Sequence, residues 1–194
     1  MLIKDNFEVT QPVDRVWRFF DDIPQVAACL PGTELTDDLG DNKYLGKVAI
    51  RMGPVRLQFA GTAQIKERDD AGKRLVVDAA GADEKGRGQA ALQATASLAP
   101  AHGGTRVDVA LDLQLSGAAA QYGRGMISDV TAILMRDFAS RMQTRIQALD
   151  RGLKPDQIET AKAASGFAIA LRAMRMALGR VLRRFLMPYQ PKTS

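Results

Sequence analysis

Residues 2–10 alternate, with Ile3, Phe7 and Val9 on one side and Lys4, Asn6, Glu8 and Thr10 on the other, which predicts a half-buried strand. Pro12 opens a helix where its missing N–H costs nothing, and Val16, Trp17, Phe19 and Phe20 give that helix a buried side. A second short helix, about Ile23 to Cys29, ends at the Leu30-Pro31-Gly32 break. From there to Ser116 the period is two. Tyr44, Val48, Ile50 and Met52 share a face, followed by Val55, Leu57, Phe59 and Ile65, then Leu75 and Val77, then Leu92, Ala94 and Leu98, and finally Val107, Val109, Leu111, Leu113 and Leu115. Turn signals separate these runs at Gly53-Pro54, Asp70-Ala71-Gly72, Gly81 to Gly88 and His102-Gly103-Gly104, as expected for consecutive hairpins of one antiparallel sheet.

Ala118 to Leu149 then changes period, placing Ile127, Val130, Leu134, Phe138 and Met142 on one apolar helical face. Strand, two short helices, a meander and one long helix together predict an α+β helix-grip fold. In it a curved antiparallel sheet of about six to seven strands wraps on the long helix.

A second amphipathic helix is expected beyond this domain. Phe167, Leu171, Met174, Leu178, Val181, Leu182 and Phe185 fall on one stripe, with Arg172, Arg180, Arg183 and Arg184 on its flank or opposite side, and no acidic residue occurs from Lys162 to Met187. Residues 151–194 hold nine Lys/Arg and two Asp/Glu, a net of +7, whereas residues 1–150 hold 18 and 20, a net of −2. The basic character belongs to the tail, so the expected organisation is a domain over 1–150, a linker over 151–159 and a basic tail over 160–194. A slightly acidic body argues against nucleic acid. The apolar run Ala163 to Leu171 is too short for a bilayer span, which needs roughly 20 apolar residues. The tail is therefore expected to lie on an anionic membrane surface through Phe167, Leu171, Arg172, Met174, Arg175, Leu178, Arg180, Leu182, Arg183, Arg184 and Phe185. The same pattern suits a helix packed on its own domain or in a partner's groove. Acidic residues interrupt the N-terminal segment where a secretion signal would be apolar, and the lone Cys29 has no disulfide partner in the chain. Both point to the cytoplasm, with the protein peripheral on the inner face of the cell membrane.

Candidate chemistry is sparse. His102, the single histidine, falls in a hairpin turn, and Cys29 has no histidine to activate it. No metal-ligand spacing occurs; Asp21-Asp22 and Asp37-Asp38 with Asp41 suit helix ends and turns. Gly86-Arg87-Gly88 lacks the helix and lysine of a phosphate loop. Asp5 shares the inward face with Ile3 and Phe7 and would need a partner such as Arg136, Arg141 or Arg145, unless the strand end is solvated.

Phe7-Glu8-Val9, Pro12-Val13-Asp14-Arg15-Val16-Trp17, Ile23-Pro24 and above all Ala28-Cys29-Leu30-Pro31-Gly32 resemble the carbon monoxide dehydrogenase G-subunit family, a branch of the START-like (SRPBCC) ligand-binding superfamily. Gly86-Arg87-Gly88, Gly103-Gly104-Thr105-Arg106 and the helix from Gly117 to Leu149 keep its spacing, so the resemblance covers about residues 1–150. It implies a non-catalytic accessory protein that holds a quinone, not covalently, and recruits a molybdenum hydroxylase of the carbon monoxide dehydrogenase type to the membrane. A wide sheet gripped by one helix leaves an apolar cavity for a hydrophobic small molecule. Its expected lining is Met52, Leu57, Phe59, Leu92, Leu111, Leu113, Met126, Val130, Leu134 and Phe138. Two alternatives are a small-molecule cyclase or hydrolase on the same fold, and an assembly factor whose tail binds protein.

Overall fold

Seven strands form one antiparallel sheet in the order β1-β7-β6-β5-β4-β3-β2. They are β1 (Leu2–Val9), β2 (Thr33–Asp38), β3 (Lys43–Met52), β4 (Val55–Asp69), β5 (Arg74–Asp83), β6 (Gln89–Ala101) and β7 (Gly104–Leu115); the helices are α1 (Val13–Phe19), α2 (Ile23–Cys29) and α3 (Arg124–Asp150). The structure, a computed structural model, describes residues 1–52, 55–155 and 157–158, and of Met52 the backbone alone. The Gly53-Pro54 turn and the tail residues from Phe167 to Phe185 lie outside the described residues. The chain divides into two units, Met1–Gln147 and Ala148–Ser194, and the sheet belongs to the first. This is the helix-grip architecture that the order of the elements predicts.

The strand alternation is one-sided, because polar residues on the convex face alternate with apolar residues that look inward. Two bulges, between Leu35 and Asp37 and between Ile65 and Glu67, add twist to the sheet. Asp37 and Asp38 belong to the edge strand β2, whereas Asp41 sits in the following turn with a left-handed φ of 49°. Their charge on an open edge discourages pairing with another sheet. β5 continues through Gly81 to Asp83, so the expected Gly81–Gly88 turn tightens to residues 84–88.

α1 is fastened to the β4–β5 hairpin by Trp17. Its indole Nε1 donates to Asp70 Oδ1 at 2.7 Å, and the Arg68 guanidinium lies 4.3 Å from the ring centroid. The indole hydrogen bond lowers the Asp70 pKa, with burial opposing and Arg68 and Lys73 adding to the effect. Asp22 caps α2 by accepting from Gln25 N at 3.2 Å, and Cys29 is a fully buried packing residue at its end. The turn that follows requires Gly32: its φ is +75°, and a Cβ there would stand 2.3 Å from Ala49 O.

The expected single helix from Gly117 is two elements. A 3₁₀ turn spans Gly117–Gln121, with Ala119 buried, and α3 starts at Arg124. Tyr122 is extended, with ψ 134°, which interrupts the helical path. On α3, Ile127, Thr131, Phe138, Met142, Arg145 and Ile146 are buried, and the Arg145 guanidinium donates to Gln25 Oε1 of α2. Asp5 is half-buried and accepts from Asn6 N at 2.8 Å.

At the end of β5, Asp83 is the most heavily bonded carboxylate described. Its oxygens accept from Arg87 Nε at 2.7 Å and Arg87 Nη2 at 2.8 Å, and from the backbone N–H groups of Gln58, Lys85 and Arg87. Arg87 also donates to Arg56 O at 2.8 Å, so one ion pair ties β4, β5 and the 84–88 turn. The Arg87 guanidinium and these N–H groups outweigh burial and hold the Asp83 pKa well below the usual carboxylate range. Asp83 therefore stabilises the fold in full above its unfolded pKa of about 3.9, and this contribution is lost as pH falls below that value. Asp83→Asn is expected to lower the urea midpoint at neutral pH, and the gap to the parent is expected to narrow as pH drops from about 4 to about 2. Denaturation of both proteins across that range checks it.

Candidate functional site

The concave face of the sheet and the inner side of α3 enclose a cavity of about 510 Å³. Its wall takes Val48 and Ile50 from β3, Leu57 and Phe59 from β4, Leu92 and Ala94 from β6, and Leu111, Leu113 and Leu115 from β7. Ile127, Val130, Leu134, Met135 and Phe138 come from α3, and Phe20, Ile23, Val26, Leu30 and Pro31 from the α1–α2 segment. Leu92, Leu111 and Leu113 point inward yet are only half-buried, because they face space and not packed neighbours. Phe7 and Phe138 meet edge to face at 5.8 Å between centroids, joining β1 to α3 across one side.

Small residues create much of the room. Gly46, Gly61 and Gly81 stand in register across β3, β4 and β5, and all three lie on the wall. A Cβ at Gly61 would stand 2.0 Å from Ala80 O, so the backbones approach too closely there for any side chain. The next inward row contains Ala63 and Ala79, which also leave volume open.

Of the residues expected to line the cavity, Leu57, Phe59, Leu92, Leu111, Leu113, Val130, Leu134 and Phe138 are brought together on its wall. The side chain of Met52 lies outside the described residues. Met126 is a correction: it is 44% exposed and off the wall. It precedes Ile127 by one position, and a 100° step turns it away from the inner face. The α1–α2 segment, the glycine row and Tyr44 complete the wall beyond the expected residues, and of these only Tyr44 carries a sequence signal, its parity with Val48 and Ile50.

Inward polar groups are few and mostly spent inside the protein. Thr131 donates to Ile127 O at 2.9 Å, Thr105 donates to Gln11 O at 2.6 Å, and Asp83 is held by Arg87. Lys47 pairs with Glu84 at 2.8 Å, and this hydrogen bond raises its pKa. His102 is exposed in the β6–β7 turn. Among the described residues no group of His, Cys, Asp and Glu is arranged to hold a metal ion, and no helix is long and apolar enough to cross a membrane. What the arrangement offers chemically is burial of an apolar molecule with few polar contacts.

Comparison with solved structures returns the same architecture at low sequence identity. A conserved protein from Geobacillus kaustophilus is similar with a TM-score of 0.68 at 19% identity, over 76% of this chain and 95% of its own. TTHA0849 from Thermus thermophilus is similar with a TM-score of 0.55 at 15% identity, over 77% and 99%. The ZhuI aromatase/cyclase from Streptomyces sp. R1128 is similar with a TM-score of 0.50 at 10% identity, over 80% and 97%. These likenesses concern the fold. No curated protein matches the chain. Residues 6–147, almost the whole of the cavity-bearing unit, match the carbon monoxide dehydrogenase G-subunit (CoxG) family, and the chain belongs to it.

Proposed function

We propose that this protein is a non-catalytic accessory protein that holds a hydrophobic, quinone-like ligand and serves a molybdenum hydroxylase of the carbon monoxide dehydrogenase type at the cytoplasmic membrane face. The observation that carries the ligand half is the 510 Å³ cavity with its apolar wall. That volume lies within the roughly 300–1,000 Å³ of small-molecule sites. Flexible Met135 and the aromatic rings of Phe59 and Phe138 suit a flat or chain-like apolar ligand. Membership of the CoxG family supports the redox-enzyme partner.

The accessory role is favoured over a cyclase because catalysis needs converging titratable groups. Here Asp83 is locked by Arg87 and His102 is exposed in a turn. The membrane half rests on the basic stripe between Phe167 and Phe185. Lys and Arg contribute about 1 kcal/mol each near an anionic surface, so the six from Lys162 to Arg184 supply roughly 6 kcal/mol before ordering costs.

Two experiments test these halves. The neutral fluorescent probe N-phenyl-1-naphthylamine is expected to bind saturably, and Ala94→Leu, which extends a side chain into the cavity, is expected to weaken it about ten-fold or more with little change in stability. Equal binding by both proteins would contradict the cavity site. Reversing charge at Arg172, Arg175, Arg180 and Arg183 together is expected to weaken sedimentation with anionic vesicles about 100-fold or more. Unchanged sedimentation would contradict the tail's role.

A further inference from the structure

Tyr44 lies on the cavity wall as the second residue of β3. Strand parity points it inward with Gly46, Val48 and Ile50, all on the same wall. Its register partner is Ala63, whose own partner on the next strand is Ala79, so the neighbouring positions of this wall carry only methyl groups. Every fully buried side-chain nitrogen and oxygen among the described residues has a hydrogen-bond partner. The Tyr44 hydroxyl has none among them and is therefore accessible, on a half-buried residue. Two other inward polar groups are committed, Thr131 to Ile127 O and Asp83 to Arg87. Thr33 also faces inward at the β2 edge, but its hydroxyl stays beside its own backbone, whereas the phenol is carried out by a ring.

Resting on the ligand-cavity reading above, we propose that Tyr44 is the specificity residue of the cavity, donating its phenolic hydrogen to an acceptor oxygen at one end of an otherwise apolar ligand. The ligand class is thus an apolar molecule with a terminal carbonyl-type oxygen. Its oxygen meets the β2–β3 edge and its body lies against β4 to β7 and α3. Asp38 is the register partner of Tyr44 across the β2–β3 pair. Burial first and the Asp38 carboxylate second raise the phenol pKa, so the hydroxyl stays protonated and able to donate.

The test uses the full chain and two probes of matched shape, 2-acetylnaphthalene and 2-ethylnaphthalene, which differ in one carbonyl oxygen. Calorimetric titration is expected to show Tyr44→Phe binding the ketone about five-fold more weakly than the parent, the factor one hydrogen bond carries. The hydrocarbon's affinity is expected to stay within about two-fold, and Thr33→Val is expected to leave both probes within that range. Binding of both probes with no selective loss in Tyr44→Phe overturns the assignment while leaving the cavity reading intact. A selective loss in Thr33→Val instead of Tyr44→Phe also overturns it. Binding of neither probe to the parent contradicts the cavity reading and the Tyr44 assignment with it.

Discussion

The constraint on which the rest depends is a mismatch of widths. Seven strands at about 4.8 Å spacing make a sheet about 29 Å across. A single helix is about 10 Å thick with its side chains. α3 therefore cannot fill the concave face that it covers, and the apolar residues left over face one another across a gap. Curvature concentrates the gap into a half-open cavity. The row Gly46-Gly61-Gly81 both permits the close backbone approach and withholds the side chains that would fill it. The cavity is thus a consequence of topology and of small residues at chosen positions.

A fold with this much unfilled core needs stiffness at its rim. Three fastenings supply it: Trp17 against Asp70 and Arg68, Asp83 against Arg87 and three backbone N–H groups, and Gln143 against Thr10, whose N–H donates to Gln143 Oε1 at 2.8 Å. Each joins elements distant in sequence or closes a turn. None sends a reactive group into the cavity, so the polar chemistry of this unit is spent on holding shape, and an apolar interior is left for a ligand. The Tyr44 hydroxyl departs from that rule, which is why it matters for selectivity.

The strands were legible because an antiparallel sheet with one wet face writes its alternation into the chain, as in Val107 to Leu115. β2 was not, since Thr-Glu-Leu-Thr-Asp-Asp is an edge strand with a single large apolar residue. The start of α3 was misplaced because Ala118 to Gln121 has helical propensity, while the break is a backbone event at Tyr122. Met126 was set on the wall through a one-residue error of phase, which on a helix is 100°. The glycine and alanine wall was invisible for a different reason: hydrophobic patterning registers what fills a core and is blind to residues whose role is to leave room. Tyr44 was seen on an apolar face, but spacing does not tell a packed phenol from one facing a cavity. The tail pattern, Phe167 to Phe185, falls on residues outside those the structure describes.

The central claim is that the cavity holds a hydrophobic ligand, and native mass spectrometry of the full chain purified from its own host tests it most directly. The account predicts a complex heavier than the 21.0 kDa chain by one small, mostly hydrocarbon molecule bearing oxygen, released as a neutral on activation. A population that carries no such mass, and acquires none when mixed with a lipid extract of the host, would contradict it.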